Sequence, residues 1–210
     1  LSAVRRTARL SRRYGAVTDS HPPAAAPGTT LRHWLFLGIV AAVAIALDQA
    51  SKAYVVAHLA RGESWMPVDF IAQVFRFTHV RNSGAAFGMF SGRGQVFLLI
   101  AAVIVLVILY FYRQLPRGTW LVRTALGLQL GGALGNVIDR VRLDFAVIDF
   151  LHVRYFPVFN VADVCIVVGV GLLAFAMLRE ERRERQNVAA QSAGEVERSR
   201  SGSEENTPVR

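Results

Sequence analysis

The chain has one cysteine, Cys165, in 210 residues, so an intramolecular disulfide is excluded. Cys165 lies in an apolar run with no histidine near it and reads as a small core residue rather than a thiol nucleophile. The five histidines, at 21, 33, 58, 79 and 152, are scattered and none belongs to an HExxH, which argues against a zinc peptidase. No GxSxG elbow occurs. Ser51 and Lys52 are adjacent, so on a helix they point apart and cannot form a serine–lysine pair. The basic N-terminal arm has almost no aromatics on which bases could stack, which argues against nucleic acid as a partner. The first apolar run leads into DQASK rather than a small-residue cleavage site, so no signal peptide is expected.

Apolar residues, in contrast, make up 53% of the chain, and they are concentrated in its middle. Residues 1–32 hold six Arg and one Asp and read as a disordered basic arm. Residues 179–210 hold seven Arg and seven Glu, which cancel, and read as a charged helical extension fading into disorder. The net charge of +9 therefore comes from the arm and the middle. Beside apolar spans, clustered Arg marks the cytoplasmic side of a membrane.

Four segments have the length and apolarity of bilayer spans, at about 34–58, 95–112, 120–138 and 159–178. The loop at 113–123 is short and basic, which puts it and both termini in the cytoplasm and residues 59–93 and 140–158 outside. Residues 59–93 alternate partly around VFRFTHV and read as a small amphipathic β-lobe lying on the membrane. Within them NSGAAFG (82–88) reads as a glycine-broken loop headed by Asn82. The segment VRLDFAVIDF reads as a short extramembrane hairpin. The expected fold is a membrane-embedded all-α core of four transmembrane helices carrying a small extracytoplasmic β-cradle.

Ionisable groups inside or beside a bilayer are expensive. Yet the stretch from Gly131 to Asp163 concentrates four aspartates between two spans. Asp149 and Asp163 have apolar neighbours, with Arg154 the nearest candidate cation. A loop between them can fold back and bring the two together. Two carboxylates in a low-dielectric cleft retain one proton between them and can hydrolyse a peptide bond with an activated water. Asp139 is read first as a structural partner of Arg140 or Arg142, and Asp144 as a solvated turn residue. Asp48 and Lys52 lie four apart on one helix face, either snorkelling at the interface or facing a polar interior. A proton-coupled transporter using Asp48, Asp139 and Asp163 as a relay is the main rival. It would spread carboxylates over several membrane depths, whereas these cluster at one surface. A non-catalytic membrane scaffold is a third reading.

The blocks DQASK (48–52), RNSGAAFG (81–88), GGALGNVIDR (131–140), VIDF (147–150) and FNVAD (159–163) together resemble the lipoprotein signal peptidase family, the membrane aspartic peptidases also called signal peptidase II. They occur in the family's order, over about residues 34–178. The resemblance implies a peptidase domain at 33–178, between the arm and the tail, in a bacterial inner membrane. It implies removal of the signal peptide from diacylglyceryl-modified prolipoproteins, immediately before the lipidated cysteine, with no metal or organic cofactor. It maps catalytic roles onto Asp149 and Asp163. Supporting roles fall on Asp48, Lys52, Asn82, Gly84, Asn136, Asp139, Arg140 and Asn160, of which Asn82, Asn136, Arg140 and Asn160 would hold the substrate backbone or orient the aspartates. Globomycin-type cyclic peptides would bind the same cleft, membrane lipid would surround it, and nothing demands more than a monomer. Ser83 stands where the family often has Thr, and Val164 where Ser is common, so a supporting hydrogen bond is expected to be missing there.

Overall fold

The computed structural model describes residues 29–84, 93–116 and 119–204. Helix α1 spans Leu31–His58, α3 Gly94–Gln114, α4 Trp120–Arg142 and α5 Val161–Glu204. Each contains a stretch long and apolar enough to cross a bilayer. Between α1 and α3 come strand β1, Ser64–Trp65, the one-turn helix α2, Asp69–Ala72, and strand β2, Phe75–Asn82; strand β3, Val147–Val153, follows α4. The expected arm falls largely on residues 1–28, outside the described residues, and Leu31 and Arg32 already belong to α1. Most of the glycine-rich loop lies outside them too, at 85–92.

The four long helices run alternately up and down, and α4 packs against the other three. Its glycines make this possible. A Cβ on Gly132 would run into the carbonyl of Ala162 on α5, and one on Gly135 would stand 2.7 Å from Asp48 Oδ2 on α1. Small residues let helix backbones meet where no water is available to drive them together. Away from α4, the outer faces of α1, α3 and α5 leave Leu35, Ile39, Leu99, Leu106, Val167 and Phe175 exposed, an apolar rim suited to lipid. A core of Leu37, Ala41, Ile108, Tyr112, Leu126 and Leu130 fills the half of the bundle nearer the start of α1.

The other end carries the sheet, antiparallel in the order β1-β2-β3. Residues 141–150 do not form the expected hairpin. Helix α4 continues to Arg142, and the chain turns through Asp144 and Phe145 at φ of 52° and 62° before β3 pairs with β2. The apolar face of β3 finds a longer partner in β2 than its own short upstream segment could offer. Asp144 is exposed in that turn, as the sequence suggests. Beyond the span, α5 continues through the charged tail to Glu204, supported by good helix formers and by pairs such as Glu181–Arg185, at 2.6 Å. Residues 205–210 lie outside the described residues.

Candidate active site

The segment between Asp149 and Asp163 folds back on itself. Phe159 bridges Leu151, with N–H to carbonyl bonds in both directions at 2.8 and 3.1 Å. Asp149 therefore sits within β3 rather than at a hairpin end, and Asp163 in the first turn of α5. Asn160, fully buried between them, touches both. Its Nδ2 donates to Asp149 Oδ1 at 2.7 Å, its Oδ1 accepts the Asp163 N–H at 3.0 Å, and its own N–H donates to Asp163 Oδ2 at 3.2 Å.

Two further amides complete the frame. Asn82 lies two residues beyond Val80, the register partner of Asp149, and so shares its face of the sheet. Its Nδ2 donates to Asp149 Oδ2 at 2.9 Å, while its Oδ1 accepts the Gly84 N–H at 3.0 Å. Asn136 on α4 donates from Nδ2 to Asp163 Oδ1 at 2.8 Å and accepts at Oδ1 from Asn160 Nδ2 at 3.1 Å. Each amide thus has its oxygen and nitrogen ends fixed by what it touches. Burial pushes the Asp149 carboxyl up to about 7; the charge of Asp163 adds to this, and the bonds from Asn82 and Asn160 oppose it.

The two aspartates and three asparagines line one cavity of about 500 Å³ with Gly84 and Arg140. Phe97, Val164, Val167 and Val168 form an apolar part of its wall. Arg140 is the cation beside the pair: its guanidinium bonds the Asn136 carbonyl at 3.2 Å and lies 5.8 Å from the Phe97 ring. Arg154, the cation suggested by the sequence, is instead stacked over Tyr155 at 4.8 Å. Val164 lines the cavity beside Asp163, whose bonds come from Asn136 and Asn160.

Behind this frame lies a second polar cluster. Asp48 and Lys52 do not snorkel; they are 0% and 3% exposed. Lys52 Nζ bonds Asp48 Oδ2 at 2.7 Å, Asp139 Oδ2 at 2.9 Å and Asn136 Oδ1 at 3.1 Å. Asp139 is therefore the partner of Lys52, not of Arg140 or Arg142. Three acceptors from different directions suit the tetrahedral ammonium better than the planar fork of arginine. Gln49, which sequence reasoning passed over, donates from Nε2 to Asp48, to the Gly135 carbonyl and to Asp139 at 3.1, 3.2 and 2.9 Å. A signal was available: Lys52 is the one lysine in a chain otherwise basic through arginine. Among the described residues no His, Cys, Asp and Glu cluster has the grouping to hold a metal ion.

Among solved structures, the fold is similar to a bacterial membrane enzyme determined by the in meso method at 2.3 Å. The TM-score is 0.63 with 31% identity, covering 69% of this chain and 88% of that one. A second bacterial membrane enzyme, determined by the same method at 1.9 Å, gives a TM-score of 0.62 with 28% identity, over 74% of this chain and 98% of its own. Four bilayer-length helices and these likenesses define a multi-pass membrane protein of the enzyme class. In sequence, the chain is 44% identical over 140 residues to a lipoprotein signal peptidase of Moorella thermoacetica, 67% of this chain and 91% of the relative. It is 40% identical over 153 residues to that of Bacillus subtilis, 70% of this chain and 96% of the relative. The family described as signal peptidase (SPase) II matches residues 40–179. The chain belongs to the signal peptidase II family, and is a peptidase.

Proposed function

We propose that the chain is an aspartic endopeptidase that removes the signal peptide from diacylglyceryl-modified prolipoproteins, cutting immediately before the lipidated cysteine. The observation that carries the reading is the pairing of Asp149 and Asp163 through Asn160 in one cavity. With the Asp149 carboxyl raised to about 7, the pair holds one proton near neutral pH. The ionised carboxylate takes a proton from a water as its oxygen bonds to the scissile carbonyl carbon, while the protonated partner gives its proton to the carbonyl oxygen. Collapse of the tetrahedral intermediate breaks the C–N bond, and a proton passes to the leaving amine of the cysteine. Arg140 and the asparagine amides hold the substrate backbone, and Asn82, Asn136 and Asn160 keep both carboxylates aimed. The lipid chains lie against the apolar wall of Val164, Val167 and Val168.

Arg113 in the last turn of α3, Arg117 just beyond it in sequence, and the arginines at both termini favour a cytoplasmic location for that loop and both ends. The cavity then opens on the extracytoplasmic side, where prolipoproteins arrive and globomycin-type cyclic peptides compete for it. The test is cleavage of a diacylated prolipoprotein by purified wild type, Asp149→Asn and Asp163→Asn, each shown to be folded. Each substitution is expected to slow cleavage by at least about 10³-fold. Near wild-type cleavage by either variant would remove that residue from the chemistry, and an uncut substrate with intact acylation would refute the substrate class.

A further inference from the structure

We infer that Lys52 and Gln49 form a clamp that sets the spacing of Asp149 and Asp163 from behind, through two buried carboxylates; the inference rests on that pair being catalytic. Asp48 Oδ1 accepts the N–H of Ala162 at 2.9 Å, the residue immediately before Asp163. Asp139 Oδ2 accepts the N–H of Ile148 at 3.0 Å, the residue immediately before Asp149. Each rear carboxylate thus grips the backbone one peptide away from a front one. Lys52 draws the two grips together, bonded to Asp48 at 2.7 Å and to Asp139 at 2.9 Å. Gln49, three residues earlier on α1, makes the same bridge from its amide.

The third Lys52 proton goes to Asn136 Oδ1, which turns the Nδ2 end of that amide towards Asp163. All three ammonium protons are therefore committed, one to each rear carboxylate and one to the frame of the front pair. Three elements that share no local sequence, α4, β3 and α5, acquire a common reference point on α1. A device that only joined α1 to α4 would have no need to end on the peptides preceding both aspartates. Buried ion pairs are weak sources of stability but good sources of fixed geometry, which is what two carboxylates sharing a proton and a water require. Neither Lys52 nor Gln49 lines the cavity. They are positioning residues, and their loss should reduce kcat while sparing KM.

Two variants of the full chain, purified in detergent, test this. Gln49→Met keeps an unbranched side chain of similar length at a half-buried position and removes the amide bridge. The neutral variant Asp48→Asn/Lys52→Met/Asp139→Asn keeps an oxygen for each backbone N–H but removes the charged bridge without stranding a charge. With a diacylated prolipoprotein, Gln49→Met is expected to lower kcat about tenfold and the neutral variant about a hundredfold, the scale of an ångström of misplacement, with KM within about threefold of wild type. Thermal melting confirms that each is folded, and Gln49→Met decides alone if the neutral variant does not fold. Wild-type kcat in folded Gln49→Met would overturn the clamp, and so would a rise in KM at unchanged kcat. Asp149→Asn and Asp163→Asn run alongside separate the two failures. Cleavage by either of them sinks the catalytic pair, whereas their inactivity beside an unaffected Gln49→Met sinks the clamp alone.

Discussion

At the site end of the bundle Lys52 is buried with an acceptor for each of its three protons. At the opposite end Arg123 is more deeply buried, at 0% exposure, and meets no carboxylate among the described residues. Its Nη2 donates to the carbonyls of Leu115 and Pro116 at 3.1 and 3.2 Å, where α3 ends, and its guanidinium lies 4.8 Å from the Tyr112 ring. Its Nε and Nη1 have no partner among the described residues. Arg123 caps the negative end of a helix dipole and rests on a ring, both modest attractions. Lys52 instead links backbone segments that carry the proposed catalytic pair. One buried cation closes a helix end; the other joins the segments on either side of the proposed reaction centre.

Removing each cation should expose the difference. Lys52→Met strands Asp48 and Asp139 as unpaired buried charges, which on the scale of such losses costs about 3–5 kcal/mol. Arg123→Met gives up two carbonyl bonds and a cation–π contact but also relieves two unmatched nitrogens. Its net cost should be about 1–2 kcal/mol. Melting in one detergent gives the ranking, and cleavage by the folded fraction sharpens it: Arg123→Met should keep wild-type kcat. A larger stability loss at Arg123 than at Lys52 would reverse the assignment of roles.

Acidity separates the two ends as well. Burial lifts the Asp149 carboxyl from 3.8 to about 7, so the folded protein keeps a proton that the unfolded chain has already released. The sign follows from that. This group's contribution to stability is fully present below about pH 4 and is lost as pH rises towards 7. On the proposed mechanism cleavage needs the shared proton, so it should fall about tenfold per unit once pH passes about 7. A pH–rate profile of kcat with the full chain checks this; a flat alkaline limb to pH 9 would mean that the proton resides elsewhere. Arg123→Met should leave that limb in place.

The legibility of these features from sequence follows the range of the interactions. The four spans were readable because each is a local run of apolar residues, and Asp149 and Asp163 stood out as candidates because short blocks such as VIDF and FNVAD surround them. The pairing of β3 with β2 was not, since residues 75–82 and 147–153 meet across an intervening pair of helices and no local pattern specifies the partner. The alternative, a local hairpin, satisfied the same alternation. Lys52 could be read as close to Asp48, four residues away, but its bond to Asp139 crosses 87 positions, and Asp139 was assigned to the arginines beside it. Gln49 was invisible for a related reason: its carboxylate and carbonyl partners on α4 are brought within reach only by the close approach at Gly135.

The smallest test lies at the Arg123 end. Tyr112 is completely buried, and its hydroxyl donates to the carbonyl of His33 in the first turn of α1, while Thr29 Oγ1 donates to the Tyr112 carbonyl at 3.1 Å. Tyr112 therefore ties the end of α3 to the start of α1 and also provides the face beneath Arg123. Tyr112→Phe keeps the ring and loses only the hydroxyl. The His33 carbonyl is left with one fewer donor, at a cost of about 1 kcal/mol, while the cation–π contact persists. Melting should shift down by a few degrees, and neither kcat nor the alkaline limb should move. A change in kcat would mean that the two ends are mechanically coupled along α1, whose opposite end carries Gln49 and Lys52. The separation between a capping cation and an organising one would then be a matter of degree.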